Sequence, residues 1–279
     1  MSSFNSNRRN NEPELSNSAY PDLNPHSEKI LIIAKTTPLP SVTHRELVCT
    51  VGVTENGKLI RLYPIPFRYM DYSKWYKKYQ WIEVEIRKRA GDNRIDSYQP
   101  DTNKLRVIGK PLRAGKCEER RKIILPLVSQ SLEELEDDFK KQKISLGIFK
   151  PKRIRLSIKK ENGSWSPKHQ QVLNQRRLFD TQPKKLEKIP FKFSYNFSCD
   201  DKNCKKEHSL KIIDWELTEL YRGLKEEYPY SPDVVLEKIK QEWETEMWGE
   251  RRDSYLIVGT HHPYPSFLVL GVFRPLRRT

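Results

Sequence analysis

The sequence predicts an α+β protein: a β-rich domain at residues 29–110, then a mixed α/β domain at 111–279 that holds a Cys/His cluster. Three patterns support this expectation. Trp81–Arg87 alternates strictly, with Ile82, Val84 and Ile86 on one side and Glu83, Glu85 and Arg87 on the other, the period of a half-exposed strand. Ser131–Lys141 instead spaces Leu132, Leu135 and Phe139 as a helix does, with acids early and lysines late to suit the helix dipole. Near the C-terminus two apolar runs, Tyr255–Val258 and Phe267–Phe273, flank His261-His-Pro-Tyr-Pro-Ser266, which predicts a buried hairpin.

Along the chain, residues 1–28 are rich in Asn, Ser, Pro and charge and read as a disordered tail. Lys29–Lys35 is a short apolar run suited to a buried strand, ended by Thr36-Thr-Pro-Leu-Pro-Ser41. Thr43 with Glu46 three residues on makes a capping box, which predicts a short helix with Leu47, Val48 and Val51 inward. Glu55-Asn-Gly57 is a turn signal between Cys49–Val53 and Lys58–Ile65, hence a hairpin. Leu105–Ile108 is a further short strand. Lys152–Lys159 alternates again, with Ile154, Leu156 and Ile158 opposite Arg153, Arg155 and Lys159. Residues 160–190 form a basic linker poor in aliphatics, and Phe191–Phe197 alternates aromatic and polar residues up to the cysteines. One helix is expected after Asp214, on Leu217, Leu220, Tyr221 and Leu224. A second starts at Ser231-Pro-Asp and buries Val235, Ile239, Trp243 and Met247. No internal repeat is visible.

Composition narrows the function classes. The formal net charge is +15, and residues 1–28 hold two arginines against four acids, so the basic excess lies in the remainder. A folded body that basic repels itself unless it meets a polyanion, and nucleic acid is the commonest one. No run of eighteen apolar residues exists, and the N-terminus lacks the apolar segment of a signal peptide; no membrane span is expected. Two of the four cysteines sit at metal-ligand spacing, which suits a reducing cytoplasm better than a disulfide scaffold.

Cys199-x4-Cys204-x3-His208 supplies three soft donors within ten residues, matching the borderline softness of Zn²⁺. A closed structural site needs a fourth ligand. Cys117, Cys49, His261, His262 or His169 could provide it from a distance, Asp200 or Asp201 locally; water there would leave the metal open for catalysis. A zinc deaminase needs His-x-Glu with Pro-Cys-x-x-Cys, and neither motif is present. Asp214 and Glu216, flanking Trp215, could hold Mg²⁺ for phosphodiester chemistry, although capping of the next helix accounts better for Asp214. Glu83-Val-Glu85 with Lys88 offers a weaker version of the same pattern, and His261-His262 could transfer protons or ligate.

Arg61-Leu-Tyr-Pro-Ile-Pro-Phe-Arg68 brackets aromatics and prolines with arginines, and Tyr69, Tyr72, Trp75, Tyr76 and Tyr79 follow among Lys74, Lys77 and Lys78. Aromatic faces can stack on unpaired bases while neighbouring cations hold phosphate; an aromatic core under a basic surface gives the same pattern. Arg153, Arg155 and Lys159 form a second candidate phosphate track.

Ile189-Pro-Phe-Lys-Phe-Ser-Tyr-x-Phe-x-Cys199, the Cys/His cluster, Asp214-Trp-Glu216 and Gly259-Thr…Pro-Ser-Phe…Gly271-Val-Phe-x-Pro275 together resemble a family of bacterial proteins of similar length. Arg61–Arg68 and Ser145-Leu-Gly-Ile-Phe-Lys-Pro151 extend the resemblance over most of the chain after residue 28. It implies no activity and no catalytic residue; the gap before His208 is one residue longer than the family pattern.

The expectation from sequence is therefore a cytoplasmic nucleic-acid-binding protein. Cys199, Cys204 and His208 would hold structural zinc, and Arg61, Arg68, Lys77, Lys78, Arg153, Arg155 and Lys159 would contact nucleic acid. The alternative is a metal-dependent enzyme on nucleic acid or nucleotides, with Asp214, Glu216, His261 and His262 as candidate catalytic groups. A third reading is an adaptor whose basic face meets an acidic protein.

Overall fold

In a computed structural model, residues 24–89, 91–113, 117–174, 183–199, 201, 204, 207–261 and 264–278 are described. The N-terminal half holds strands β1 (His26–Lys35), β2 (Leu39–Ser41), β3 (Arg45–Thr54), β4 (Leu59–Ile65), β5 (Trp81–Lys88), β6 (Ser97–Pro100) and β7 (Arg106–Ile108). Helix α1 (Cys117–Ile124), β8 (Val128–Ser129), α2 (Leu132–Gln142) and β9 (Leu146–Phe149) follow, then β10 (Pro151–Lys160), α3 (Pro167–Asn174), β11 (Phe191–Cys199) and β12 (His208–Lys211). The chain continues through α4 (Trp215–Glu227), α5 (Pro232–Lys240) with a π-helical extension at Gln241–Glu246, β13 (Tyr255–Thr260) and β14 (Phe267–Phe273).

The predicted α+β class holds, with a barrel-like sheet first and a mixed half after it. β1 pairs antiparallel with β3 and β3 with β4. β4 then pairs parallel with β6, β6 antiparallel with β5, and β5 returns to β1. Numbering these five strands in chain order gives the circuit 1-2-3-5-4-1, that of the oligonucleotide/oligosaccharide-binding barrel. The same circuit recurs in the second half. β9 and β10, separated by Lys150 alone, act as one bent strand that pairs with β13 at one end and β11 at the other. β11 pairs with β12, Ile212 just beyond β12 bridges parallel to Val269 of β14, and β14 pairs with β13.

Side-chain direction explains which strands were easy to read. In β1, Ile30 and Ile32 enter the first barrel with Ile60, Leu62, Ile82 and Val84. Leu31 and Ile33 face the other way and pack with Val51, Val53, Ile257, Leu270 and Phe273. Both faces are buried, so the strand reads as an unbroken apolar run. The second barrel is filled by Phe193, Tyr195, Phe197, Leu256 and Val258, and closed by Leu217, Tyr221, Ile239 and Trp243 from the helices.

One predicted element is corrected. Residues 43–51 form no helix: Arg45–Thr54 is strand β3, held between β1 and β4 with β2 also paired to it. The β-branched Val48, Thr50, Val51 and Val53 suit a pleated surface buried on both sides, and two ladders of backbone hydrogen bonds outweigh one capping box. The expected linker also contains α3, and the fold repeats where the sequence does not.

Candidate metal centre and nucleic-acid interface

Cys199 ends β11, Cys204 lies in the turn and His208 begins β12, so the β11–β12 hairpin delivers all three predicted ligands to its tip. His208 stands opposite Phe197 in the ladder and stacks on it, ring centroids 5.3 Å apart. The fourth group is Glu133, in the first turn of α2, whose N-terminus Ser131 caps by accepting from the Glu134 amide. One ligand atom from each of Glu133, Cys199, Cys204 and His208 lies within 4.8 Å of every other. Cys204 Sγ is 3.2 Å from His208 Nε2, which is 2.9 Å from Glu133 Oε1. Ligands about 2.0–2.3 Å from a tetrahedral zinc are separated by about 3.3–3.8 Å, so small shifts, outward for the close pairs and inward for the wide ones, would seat an ion. This group could hold a metal ion.

The electrostatics agree. Both carboxylate oxygens of Glu133 are buried and turned toward this group. Burial pushes its carboxyl up, but the thiols of Cys204 and Cys199 and the nearby His208 outweigh that and hold it down at about 2. Burial raises the Cys199 thiol, with Glu133 adding to the rise and the Leu132 amide opposing it. Glu133 carries no signal in the sequence, because an acid in a first helical turn is already explained by the helix dipole. The distant candidates Cys49, Cys117, His169 and His261 do not join the group. Asp201 does not join it either, and Asp200 and His262 lie outside the described residues.

The same hairpin presents an outward face. Lys159 faces Lys192, Ser157 faces Ser194 and then Lys211, and Arg155 faces Asn196 and then Ser209. Tyr195, Leu210 and Leu156 occupy the alternate positions and pack into the core. The outward set is thus Arg155, Lys159, Lys192 and Lys211 with Ser157, Asn196, Ser198 and Ser209, while Ser194 between them is buried; none of these positions is a carboxylate. Among the described residues no ion pair engages those four cations. On β5, by contrast, Glu83 and Glu85 pair with Arg106 and Lys104.

The predicted contacts separate. Arg155 and Lys159 belong to this face, and Arg153 sits exposed at the bulge of β10 with a φ of 47°. Arg68 pairs with Glu46 at 3.1 Å. Lys77 and Lys78 line a cleft of about 640 Å³ with Arg120, Arg252 and Arg274. Lys78 is paired there with Glu216 at 2.6 Å. Arg61 is 5% exposed and lies inside the molecule. Of the aromatic segment, Phe67, Tyr76 and Tyr79 are core residues, whereas Tyr72 and Trp75 are exposed and in contact, centroids 5.5 Å apart. Lys192 and Lys211, which complete the basic face, carry no signal in the sequence because they lie on different strands from Arg155 and Lys159.

Asp214 is buried and caps α4, accepting from the Glu216 amide at 2.8 Å. Neither Asp214 nor Glu216 belongs to a metal-competent group among the described residues. His261 lines a cavity between the barrels and stacks on Tyr264. Burial pushes the Asp214 carboxyl up, to about 7, against the pull of Lys78. A raised folded-state value means that the folded protein retains a proton the unfolded chain has lost. The contribution is full below about pH 4 and is lost as pH rises to about 7. Asp214→Asn keeps the capping oxygen and removes the titration. We expect its Tm relative to wild type to rise between pH 5 and pH 8; a constant difference across that range would contradict the assignment.

None of the curated proteins matches the chain. Among solved structures there is a similarity to "Structure and Conformational Change of a Replication Protein A Heterotrimer Bound to ssDNA", at 6% identity and a TM-score of 0.22 over 93% of this chain and 66% of that one. This chain thus spans just under two thirds of that chain's length. Residues 26–126 match the model described as "Domain of unknown function (DUF8758)". Residues 128–279, more than half of the chain, match "Domain of unknown function (DUF8757)", and the chain belongs to that family.

Proposed function

We propose that the protein binds nucleic acid along the outer face of β10, β11 and β12, with Zn²⁺ at Glu133, Cys199, Cys204 and His208 fixing the hairpin that builds this face. The observation that carries the reading is the set of four cations, Arg155, Lys159, Lys192 and Lys211, on the paired outward positions of three strands, none of which holds a carboxylate, although Glu244 meets the edge of β10 by accepting from the Leu156 amide. Each neutralised phosphate releases counterions, while the serines and Asn196 between the cations hydrogen-bond phosphate and sugar oxygens. In an OB barrel oligonucleotides bind on the face of strands 2 and 3, here β11 and β12, which carry Lys192 and Lys211 of this set. No aromatic side chain stands in the set, so the face grips the backbone without stacking on bases, and binding is tolerant of sequence. Two thiolates and an imidazole favour zinc over Mg²⁺ or Ca²⁺, which take oxygen ligands.

Anisotropy titrations of labelled 20-nucleotide single strands and of duplex test the binding. Four phosphate contacts give a log–log salt slope near −2.8 on single strands, about a fiftyfold loss of affinity from 50 to 200 mM salt. Undetectable binding at low salt, or a slope near zero, refutes the proposal. Protein purified without added metal should contain about one zinc per chain.

A further inference from the structure

The corresponding face of the first barrel is not open. The second barrel packs over strands β3 and β4 and α3 over β2, leaving a cavity of about 390 Å³ between them. Its polar lining includes Arg61, Arg89, Arg94, His169, His261 and Thr260, with no carboxylate among the described lining residues; Leu39, Leu47, Ile213, Leu268 and Leu270 supply an apolar wall. Just behind the lining, Asp92 takes Arg94 on both oxygens, at 2.8 and 2.6 Å, and Arg89 at 3.4 Å, so one carboxylate serves two guanidiniums. Asp96, the other acid here, accepts from the Ser145 amide and hydroxyl and from the Leu146 amide.

Arg61 has no carboxylate partner among the described residues. Its Nη2 donates to the Ser145 carbonyl and hydroxyl, its Nη1 lies 3.6 Å from Cys49 Sγ, and among the described residues its buried Nε has no partner, nor has the buried Thr260 Oγ1. The backbone makes room for this guanidinium: a Cβ on Gly259 would lie 2.7 Å from Arg61 Nη2. A buried cation is retained when it is paired or when it meets an anionic ligand. The volume is at the small end of ligand pockets, enough for one nucleotide and too small for a strand lying across the barrel.

We propose that this cavity binds a single nucleotide, its phosphate held by Arg61 and Arg89 beside Arg94, whose Nη1 donates to the Thr260 carbonyl at 3.0 Å, and its base against the wall formed by Leu39, Leu47, Leu268 and Leu270. The nucleotide is either free or the 5′-phosphorylated end of a strand. The inference does not depend on the basic face of the second barrel.

Calorimetric titration of the full chain with AMP, adenosine, inorganic phosphate, and a tetranucleotide with and without a 5′-phosphate tests it. AMP should bind at least tenfold more tightly than adenosine. Arg89→Gln, at a half-buried position, should weaken AMP at least tenfold with the circular dichroism spectrum unchanged, and Arg61→Lys should do the same. Arg89→Gln keeps the test valid if the Arg61 variant does not fold. A phosphorylated tetranucleotide tighter than AMP assigns the site to strand ends, and the reverse order assigns it to free nucleotides. Equal affinity for AMP and adenosine, no binding of either phosphorylated probe, or unchanged AMP affinity in Arg89→Gln overturns the proposal. Neutralising the β10–β12 face should leave AMP binding unaltered, which separates failure here from failure of the proposed function.

Discussion

Serine at both Cys199 and Cys204 should abolish zinc binding and lower the Tm by about 10 °C. The two substitutions leave Glu133 and His208, too few donors for a closed tetrahedral site. A metal that binds the folded chain with free ion near a thousandfold over its Kd contributes about 4 kcal/mol, and for a chain of this size each kcal/mol moves Tm by about 2–4 °C. A strong chelator should reproduce the loss in the wild type and have no effect on the variant. Glu133→Ala should be intermediate, keeping three ligands and losing at least about tenfold in affinity. Equal Tm and no metal in either protein would reduce the cluster to a hydrogen-bonded hairpin tip. Unaltered affinity in Glu133→Ala would remove the helix from the site.

The second large effect concerns the basic face. Replacing Arg155, Lys159, Lys192 and Lys211 together by serine should weaken single-strand binding by about a thousandfold at low salt, at roughly 1 kcal/mol for each lost contact, and flatten the salt slope by about 2.8. None of the four forms an ion pair among the described residues, so stability should change by no more than about 0.5 kcal/mol for each. A variant that removes Lys104, Arg106, Lys140 and Lys141 instead loses the same charge from positions already paired with acids. If that control weakens binding equally, net charge rather than this face is responsible, and the proposed interface is wrong.

How far the residues alone could be read differs by element. The strand at β5 and the helix at α2 were legible because one face is buried and the other solvated, so the period survives in the side chains. The Asp214 cap was legible because capping is a local transaction between a carboxylate and an amide two residues on. Thr43–Val51 misled because a capping box is equally local, whereas the pairings that made the segment a strand come from β1 and β4.

The sequence by itself determined the α+β class, three of the four metal-competent residues and the basic character, since each rests on residue type or spacing within about ten residues. Tertiary structure alone decided the rest. Closure of both barrels depends on parallel pairings between distant segments, Arg61 with Ser97 and Ile212 with Val269, which leave no periodic trace. Glu133 reaches a hairpin some seventy residues away because α2 packs beside it. The sign of Arg61's role, interior cation rather than surface contact, was set by the second barrel covering the first, because burial is a property of the assembled chain and not of the residue.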